Sequence, residues 1–160
     1  MTEEPKLLDY EKLDILACLL LPLDGFNLLL PTVSVAEMVP YEMPFRGDKG
    51  PQWYLGEFYW RNIAIPLVSY ESINGDQNPG VSTRARVAIL NCTGQSEHLP
   101  FLGIVTQGIP RLAQVENDHI IETSKEAAHK YDLMKVQIAA EEAIIPDIPG
   151  IERAYLELDL

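Results

Sequence analysis

The chain has 160 residues, enough for one hydrophobic core or for two small halves sharing one, and too few for a large multidomain enzyme. Its apolar content of 47% with 22% charged residues is that of a globular protein and not of a disordered tail. A formal charge of −12, from 12 Lys and Arg against 24 Asp and Glu, repels phosphate backbones and anionic lipid, so neither nucleic acid nor a membrane surface is expected as a partner.

That charge is unevenly placed. Residues 1–40 carry −5, residues 41–115 sum to zero and residues 116–160 carry −7. A neutral, aromatic-containing middle between acidic flanks suits a docking surface, or it reflects chance. The most apolar run, Ile15 to Leu23, contains Pro22 and falls far short of the roughly 20 residues of a spanning helix. Glu3 and Glu4 stand where a secretory leader would be basic. Cys18 and Cys92 lie in separate apolar runs without Cys-x-x-Cys spacing, which reads as two buried thiols in a reducing cytoplasm.

Residues 1–13 form a polar leader. Ile15 to Leu23 and Leu28 to Leu30, separated by Asp24-Gly25, predict two paired strands. Val33, Val35 and Val39 alternate with polar or small residues and predict a third strand. Pro40, Pro44, Gly47, Gly50 and Pro51 make 40–52 a surface loop. Trp53, Tyr54, Phe58, Tyr59 and Trp60 follow, and Arg61-Asn62 marks a tight reversal into Ile63 to Val68. Residues 74–82 are a polar connector and the expected boundary between halves. Strand-like sequence resumes over Arg86 to Cys92, and Ile151, Ala154, Tyr155 and Leu158 predict a terminal helix over about 150–158, started by Pro149-Gly150.

The restart repeats the beginning. At an offset of 74 residues Ile15 meets Ile89, Cys18 meets Cys92, Leu28 meets Leu102, Thr32 meets Thr106, Val35 meets Ile109 and Met38 meets Leu112; at an offset of 80, Ile65-Pro66 meets Ile145-Pro146. The expected fold is mainly β: two similar small five-stranded β-barrels packed side by side, with short peripheral helices including one at the C-terminus. Within a single domain over 1–160, the first barrel half is placed at about 14–80 and the second at about 81–148.

Catalytic constellations are missing from the pattern. His98, His119 and His129 lie in polar stretches and are expected to face solvent, no pair has metal-ligand spacing, and no zinc motif occurs. Gly-x-Ser-x-Gly and phosphate-cradling glycine loops are absent. Glu141 and Glu142 would point to opposite faces of a strand and read as a solvated turn. No catalytic residue, cofactor or metal is therefore assigned. What remains is a binding surface around Arg61, whose guanidinium can fork onto a partner carboxylate while stacking on rings, or can instead make a structural salt bridge to Glu37 or Glu57.

The stretch Gly56-Glu57-Phe58-Tyr59-Trp60-Arg61-Asn62-Ile63-Ala64-Ile65-Pro66-Leu67-Val68-Ser69 resembles the signature of CheW-like coupling proteins. Gly56, Arg61, Ile65 and Pro66 match it, whereas Tyr59, Asn62 and Ser69 depart from the usual Asn, Gly and Asp. Leu28 to Val39 and Leu102 to Ile109 resemble two further strands of that family, in the same order, so that the likeness spans about residues 14–158. It implies two five-stranded, SH3-like barrels and a non-catalytic cytoplasmic adaptor that links a chemoreceptor tip to a CheA-type histidine kinase. By the same likeness the receptor-binding positions are Val35, Glu37, Gly56 and Arg61: Val35 supplies apolar area, Glu37 orients Arg61 or pairs with a basic receptor residue, and Gly56 permits close approach. The kinase-binding edge stays unassigned. Leu-Leu-Pro and Val-Ala-Glu-Met-Val-Pro-Tyr look most like ChpC-type members, which accompany type IV pilus systems and twitching motility. The alternatives are a small barrel enzyme or small-molecule binder with a site between the halves, and a CheW-like module that acts through another partner.

Overall fold

The structure, a computed structural model, describes residues 15–116, 120–124 and 129–160; the leader at 1–13 and His119 lie outside the described residues. The expected hairpin forms as β1 (Ile15–Pro22) and β2 (Asn27–Pro31) around Asp24-Gly25. A single 3₁₀ turn at Thr32–Ser34 then delays the third strand, so β3 runs Val35–Pro40 and Val33 stands outside it. β4 (Tyr54–Trp60) and β5 (Ile63–Val68) form the aromatic hairpin, followed by a four-residue helix α1 (Tyr70–Ile73) that hydrophobic periodicity is too short to announce. Beyond the polar connector come β6 (Arg86–Asn91), β7 (Phe101–Thr106), β8 (Arg111–Glu116), β9 (Ile120–Ser124), β10 (Asp132–Ile138), β11 (Glu141–Pro146) and helix α2 (Ile148–Leu156). Asp147 caps α2 by accepting the Gly150 N–H at 3.1 Å, so Pro149 and Gly150 lie in the first turn and the helix begins two residues before the expected 150.

The strands form two sheets, ordered β8-β1-β2-β11-β10-β9 and β3-β6-β7-β5-β4. If β6, β7, β8, β10 and β11 are taken as the second copy of β1 to β5, both sheets follow one order, third-first-second-fifth-fourth. Each sheet nevertheless draws its first and second strands from one copy and the other three from the other copy. The boundary near residue 80 therefore separates copies in sequence but not barrels in space. The parallel pairs β2–β11 and β5–β7 and the antiparallel pairs β1–β8 and β3–β6 are the joints between copies. One sheet has six strands where five were expected, because β9 adds to β10.

The pairing also corrects the alignment of the copies. Leu28 and Leu102 pair with Leu21 and Leu90, so Leu20 is the counterpart of Ile89, the position the sequence match gave to Ile15. The slip arises because the loop between β6 and β7 is longer than the turn between β1 and β2. Likewise Trp60–Ile63 and Ile138–Glu141 close equivalent hairpins, which puts Pro66 opposite Ile144 and not opposite Pro146.

Three apolar clusters follow from strand alternation. Phe58, Trp60, Ile65, Leu67, Val87, Ile89 and Val105 fill the five-stranded subdomain, and Cys18, Leu20, Leu29, Val115, Val136 and Ala143 fill the six-stranded one. The third and largest cluster lies between them and takes Leu21, Leu28 and Leu30 from one sheet, Val68, Ala88, Leu90, Leu102 and Ile104 from the other, and Ile148 and Ile151 from α2. Strands β6 and β7 are thus buried on both faces, which is why they read as unbroken apolar runs.

Two buried carboxylates fasten the subdomains to each other. Glu71 on α1, which follows the five-stranded sheet, accepts the Asp24 N–H of the β1–β2 turn at 3.0 Å. Glu152 on α2 accepts the Thr93 N–H at 2.9 Å and the Thr93 hydroxyl at 2.9 Å in the β6–β7 loop. Asp24 and Thr93 are counterparts, each three residues past the matched Leu21 and Leu90. Tyr70 adds a third tie: its buried hydroxyl sits 2.5 Å from Asp132 Oδ1, which also accepts from Asn74 Nδ2 at 3.1 Å. Burial, and then Asp132, raise the Tyr70 pKa, so the phenol stays protonated and donates.

Replacing Glu152 with Ala strands the Thr93 donors and leaves a gap beside the shared core. Denaturant titration should show a loss of about 2 kcal/mol, and an unchanged midpoint would make that clamp dispensable. Glu71 behaves differently with pH. Burial raises its folded-state pKa above the ordinary 4.5, so the folded chain binds the proton more tightly than the unfolded one, and stability due to this group grows as pH falls from neutral toward 4.5. The melting temperature of the wild type relative to Glu71→Gln should therefore rise as pH is lowered over that window; a flat or falling difference would refute it.

Candidate functional site

The β4–β5 hairpin turns on two residues, Arg61 at φ 50° and Asn62 at φ 63°, between the paired Trp60 and Ile63. That is the twist a tight hairpin requires, and Asn accepts the left-handed region better than most residues with a Cβ. Phe58 and Trp60 point inward, so Tyr59 between them is exposed, and Arg61 begins where the strand ends.

Of the two carboxylates weighed for Arg61, Glu37 is the partner. Arg61 Nη2 donates to Glu37 Oε1 at 3.0 Å, and Trp60 Nε1 donates to the same oxygen at 2.9 Å. The guanidinium carbon lies 4.9 Å from the Trp60 ring centroid, adding a cation–π contact. Glu57 instead accepts the Tyr54 hydroxyl at 3.2 Å. Glu37 is on β3 and Trp60 on β4, the opposite edges of the five-stranded sheet. Laid flat, those edges would stand about 19 Å apart at the usual strand spacing. The indole–carboxylate bond therefore records that this sheet is rolled until its edges meet, and the site sits on the closure seam.

Arg61 is 69% exposed and its other guanidinium N–H groups have no partner among the described residues, so they are available to an incoming carboxylate. An exposed ion pair of this kind adds at most about 1 kcal/mol to stability. Its value is positional, since the indole and carboxylate together fix the direction of the fork.

The remaining expected residues divide. Val35 is half-buried and packs against the shared core, while Val33, in the turn just before it, is 80% exposed. Gly56 is buried and not on that surface. Its φ of 125° and the Phe45 carbonyl, whose oxygen would lie 2.6 Å from an added Cβ, account for glycine there. The close approach at Gly56 is made by the chain's own 45–46 segment, which bridges Phe45 to Glu57 on the β4 edge. Trp60 is the contributor that sequence reasoning passed over. Its inward place in the alternation, next to a turn arginine, was the available signal.

The second subdomain carries a related arrangement. Leu20 and Ile89 are counterparts and pair with Arg111 and Glu37, so Arg111 occupies the place of Glu37. Arg111 Nη2 reaches Glu141 Oε1 at 2.7 Å, at the β10–β11 hairpin that corresponds to the one bearing Arg61. The ion pair recurs with its polarity reversed, flanked by exposed Ile109 and Leu112. The Arg111 hydrogen bond holds the Glu141 carboxyl below its ordinary range. Glu141 and Glu142 thus open β11 where a solvated turn was expected, that turn being Ala139-Ala140. Glu142 faces Lys135 at 3.6 Å, so the two carboxylates have separate partners.

A cavity of about 380 Å³ lies between the β1–β2 turn, the end of α1 and strands β10 and β11, lined by Asn27, Asn74, His129 and Lys135 among others. Its main polar groups are committed: Asn74 and His129 bond Asp132, at 3.1 and 3.2 Å, and Lys135 faces Glu142. His129 is accordingly half-exposed and bonded, and His98 is exposed. Both cysteines are free thiols. Cys18 is buried as expected, Cys92 only partly so, and burial pushes the Cys92 thiol up to about 12. Among the described residues no cluster of His, Cys, Asp and Glu could hold a metal, and no helix is long and apolar enough to cross a membrane.

Among solved structures the chain is similar to the scaffolding protein TtCheW of Thermoanaerobacter tengcongensis, with a TM-score of 0.71 at 16% identity over 82% of this chain and 88% of that one. At that identity the likeness establishes the fold: two β subdomains and a C-terminal helix. No curated protein matches. The CheW-like domain model matches residues 17–153, from within β1 into α2 and through both copies, and the chain belongs to the CheW-like domain family.

Proposed function

We propose that this protein is a non-catalytic adaptor of bacterial chemosensory signal transduction, joining the cytoplasmic tip of a methyl-accepting chemoreceptor to a CheA-type histidine kinase. The observation that carries this reading is the Glu37–Trp60–Arg61 constellation within a CheW-like domain. It is a guanidinium pinned by one nitrogen, stacked on an indole and without another partner among the described residues, on a hairpin that also exposes Tyr59. Such an arrangement suits a partner helix that offers a carboxylate next to an apolar side chain. Receptor contact is assigned to Glu37 and Arg61 directly. Val35 and Gly56 support it from below, Val35 by seating β3 and Gly56 by admitting the 45–46 segment. Two subdomains give one chain room for two partners, and the kinase-facing edge is assigned to no residue. The ChpC-like wording of residues 28–41 supports an output through type IV pili and twitching motility, and a cytoplasmic location goes with the adaptor reading.

Pull-downs with the receptor tip should show capture falling in Arg61→Ala and falling further in Arg61→Glu, with melting temperatures within a degree or two of the wild type, as an exposed pair allows. Unfolding of either variant would make Arg61 structural and remove it from the site. Gly56→Ala should lose capture by another route: the Cβ meets the Phe45 backbone, and a stability loss of about 2–3 kcal/mol precedes any loss of binding. A stable Gly56→Ala that no longer binds would return Gly56 to the interface. Co-purification from the native cell, with kinase and receptor recovered together, tests the adaptor reading as a whole.

A further inference from the structure

Away from the Arg61 seam, at the other end of β4, a cavity of about 280 Å³ opens between the loop after β3, the start of β4, the end of β7 and the connector. Tyr41, Leu55, Val81 and Val105 wall it with apolar surface, and Ser69 and Glu71 also line it. Val81 is 49% exposed and Glu71 only 4%, so the valine stands at the mouth and the carboxylate at the inner end.

That carboxylate is incompletely satisfied. Among the described residues, Oε2 accepts the Asp24 N–H at 3.0 Å and Oε1 the Ser69 hydroxyl at a long 3.4 Å, with the residue's own amide adding a local bond. A carboxylate has about four acceptor sites, so capacity remains. No cation is bonded to Glu71 among the described residues. Arg46 lines the same cavity, but its guanidinium is occupied by the carbonyls of Gly50, Pro51 and Tyr54. A buried negative charge without a counter-ion, at the end of an apolar channel, matches a positive charge carried on an apolar stem.

We infer that this cavity is a binding site for an alkylammonium or alkylguanidinium group, with the stem against Leu55, Val81 and Val105 and the cationic head on Glu71 Oε1. A lysine or arginine side chain of a protein partner and a free alkylamine share that chemistry. The site is separate from Arg61 and independent of the adaptor reading. Occupancy replaces the weak Ser69 contact with a charge-assisted bond, and lowers the Glu71 pKa that burial now raises.

The test is titration of the full chain with n-butylamine, agmatine and the peptide acetyl-Gly-Lys-Gly-amide, followed by amide chemical shifts of Ser69, Glu71 and Val105, with n-butanol as the uncharged control. Saturable shifts at these amides are expected from at least one of the cationic probes, with n-butanol about tenfold weaker or silent. Glu71→Gln should weaken cation binding by a similar factor and leave n-butanol unaffected. Val81→Trp, which fills the mouth while leaving Glu71 in place, should abolish binding without lowering the melting temperature, and it keeps the test decisive if Glu71→Gln folds poorly. A response to the peptide equal to that of the free amines assigns the site to a partner's side chain, and a response to free amines alone assigns it to a small molecule. Absence of shifts with every cation, equal binding of n-butanol, or undiminished binding by Val81→Trp overturns the inference.

Discussion

The layer formed by Leu21, Leu28, Leu90, Leu102 and Ile104 belongs to both sheets at once. Each of these side chains is on a strand whose opposite face closes a barrel, so the seam and the two interiors share their backbones. Burying side chains of this size is worth about 1.5–3 kcal/mol each, and the shared layer could not be removed without opening an interior as well. The reciprocal carboxylates act on the same joint. Glu71 holds the turn that ends β1, and Glu152 holds the counterpart loop that follows β6. Each polar tie reaches from the helix following one sheet to a hairpin of the other, so sliding of the subdomains is resisted by directional bonds as well as by apolar contact.

The candidate surface around Arg61 inherits its geometry from the closure of the five-stranded sheet. Glu37 and Trp60 meet because the five-stranded sheet rolls up, and Arg61 is aimed because it stands in a two-residue turn against that bond. The reversed pair Arg111–Glu141 shows that the duplicated framework keeps this corner while allowing its charges to be exchanged. The two subdomains are thus alike in backbone and unlike in electrostatic face, so they can discriminate between different partner surfaces.

Much of this was legible in the residues. The Asp24-Gly25 and Arg61-Asn62 turns, the apolar runs flanking them and the terminal helix are local signals, and local signals are set by short-range sterics. The copied halves were visible as well, but the exchange of strands between them was not. It depends on the parallel pairs β2–β11 and β5–β7, and an apolar run says nothing about which distant run lies beside it. Helix α1 escaped because four residues carry no periodicity, its place being fixed by the Ser69 cap and by the burial of Tyr70 and Ile73. At the site, Glu37 and Arg61 could be named, although Glu57 was an equal candidate until the sheet's closure chose between them. At Gly56 the φ of 125° and the nearby Phe45 carbonyl that account for glycine are invisible in a sequence.

The exchange of strands also sets the order in which the molecule can be completed as it is synthesised. The β1–β2 hairpin leaves the ribosome well before the strands it pairs with, β8 and β11, and Leu28 meets Ile144 only after β11 has emerged. The five-stranded sheet, whose strands all lie between residues 35 and 106, can close while the hairpin is still waiting. During that interval Leu19 to Leu21 and Leu28 to Leu30 form an uncovered apolar ribbon with free edges, the kind of intermediate that chaperones recognise and that aggregates when it lingers. A duplicated chain of this design gains a joint in which both copies build each sheet, at the expense of a nascent stage in which the β1–β2 hairpin waits for its partners.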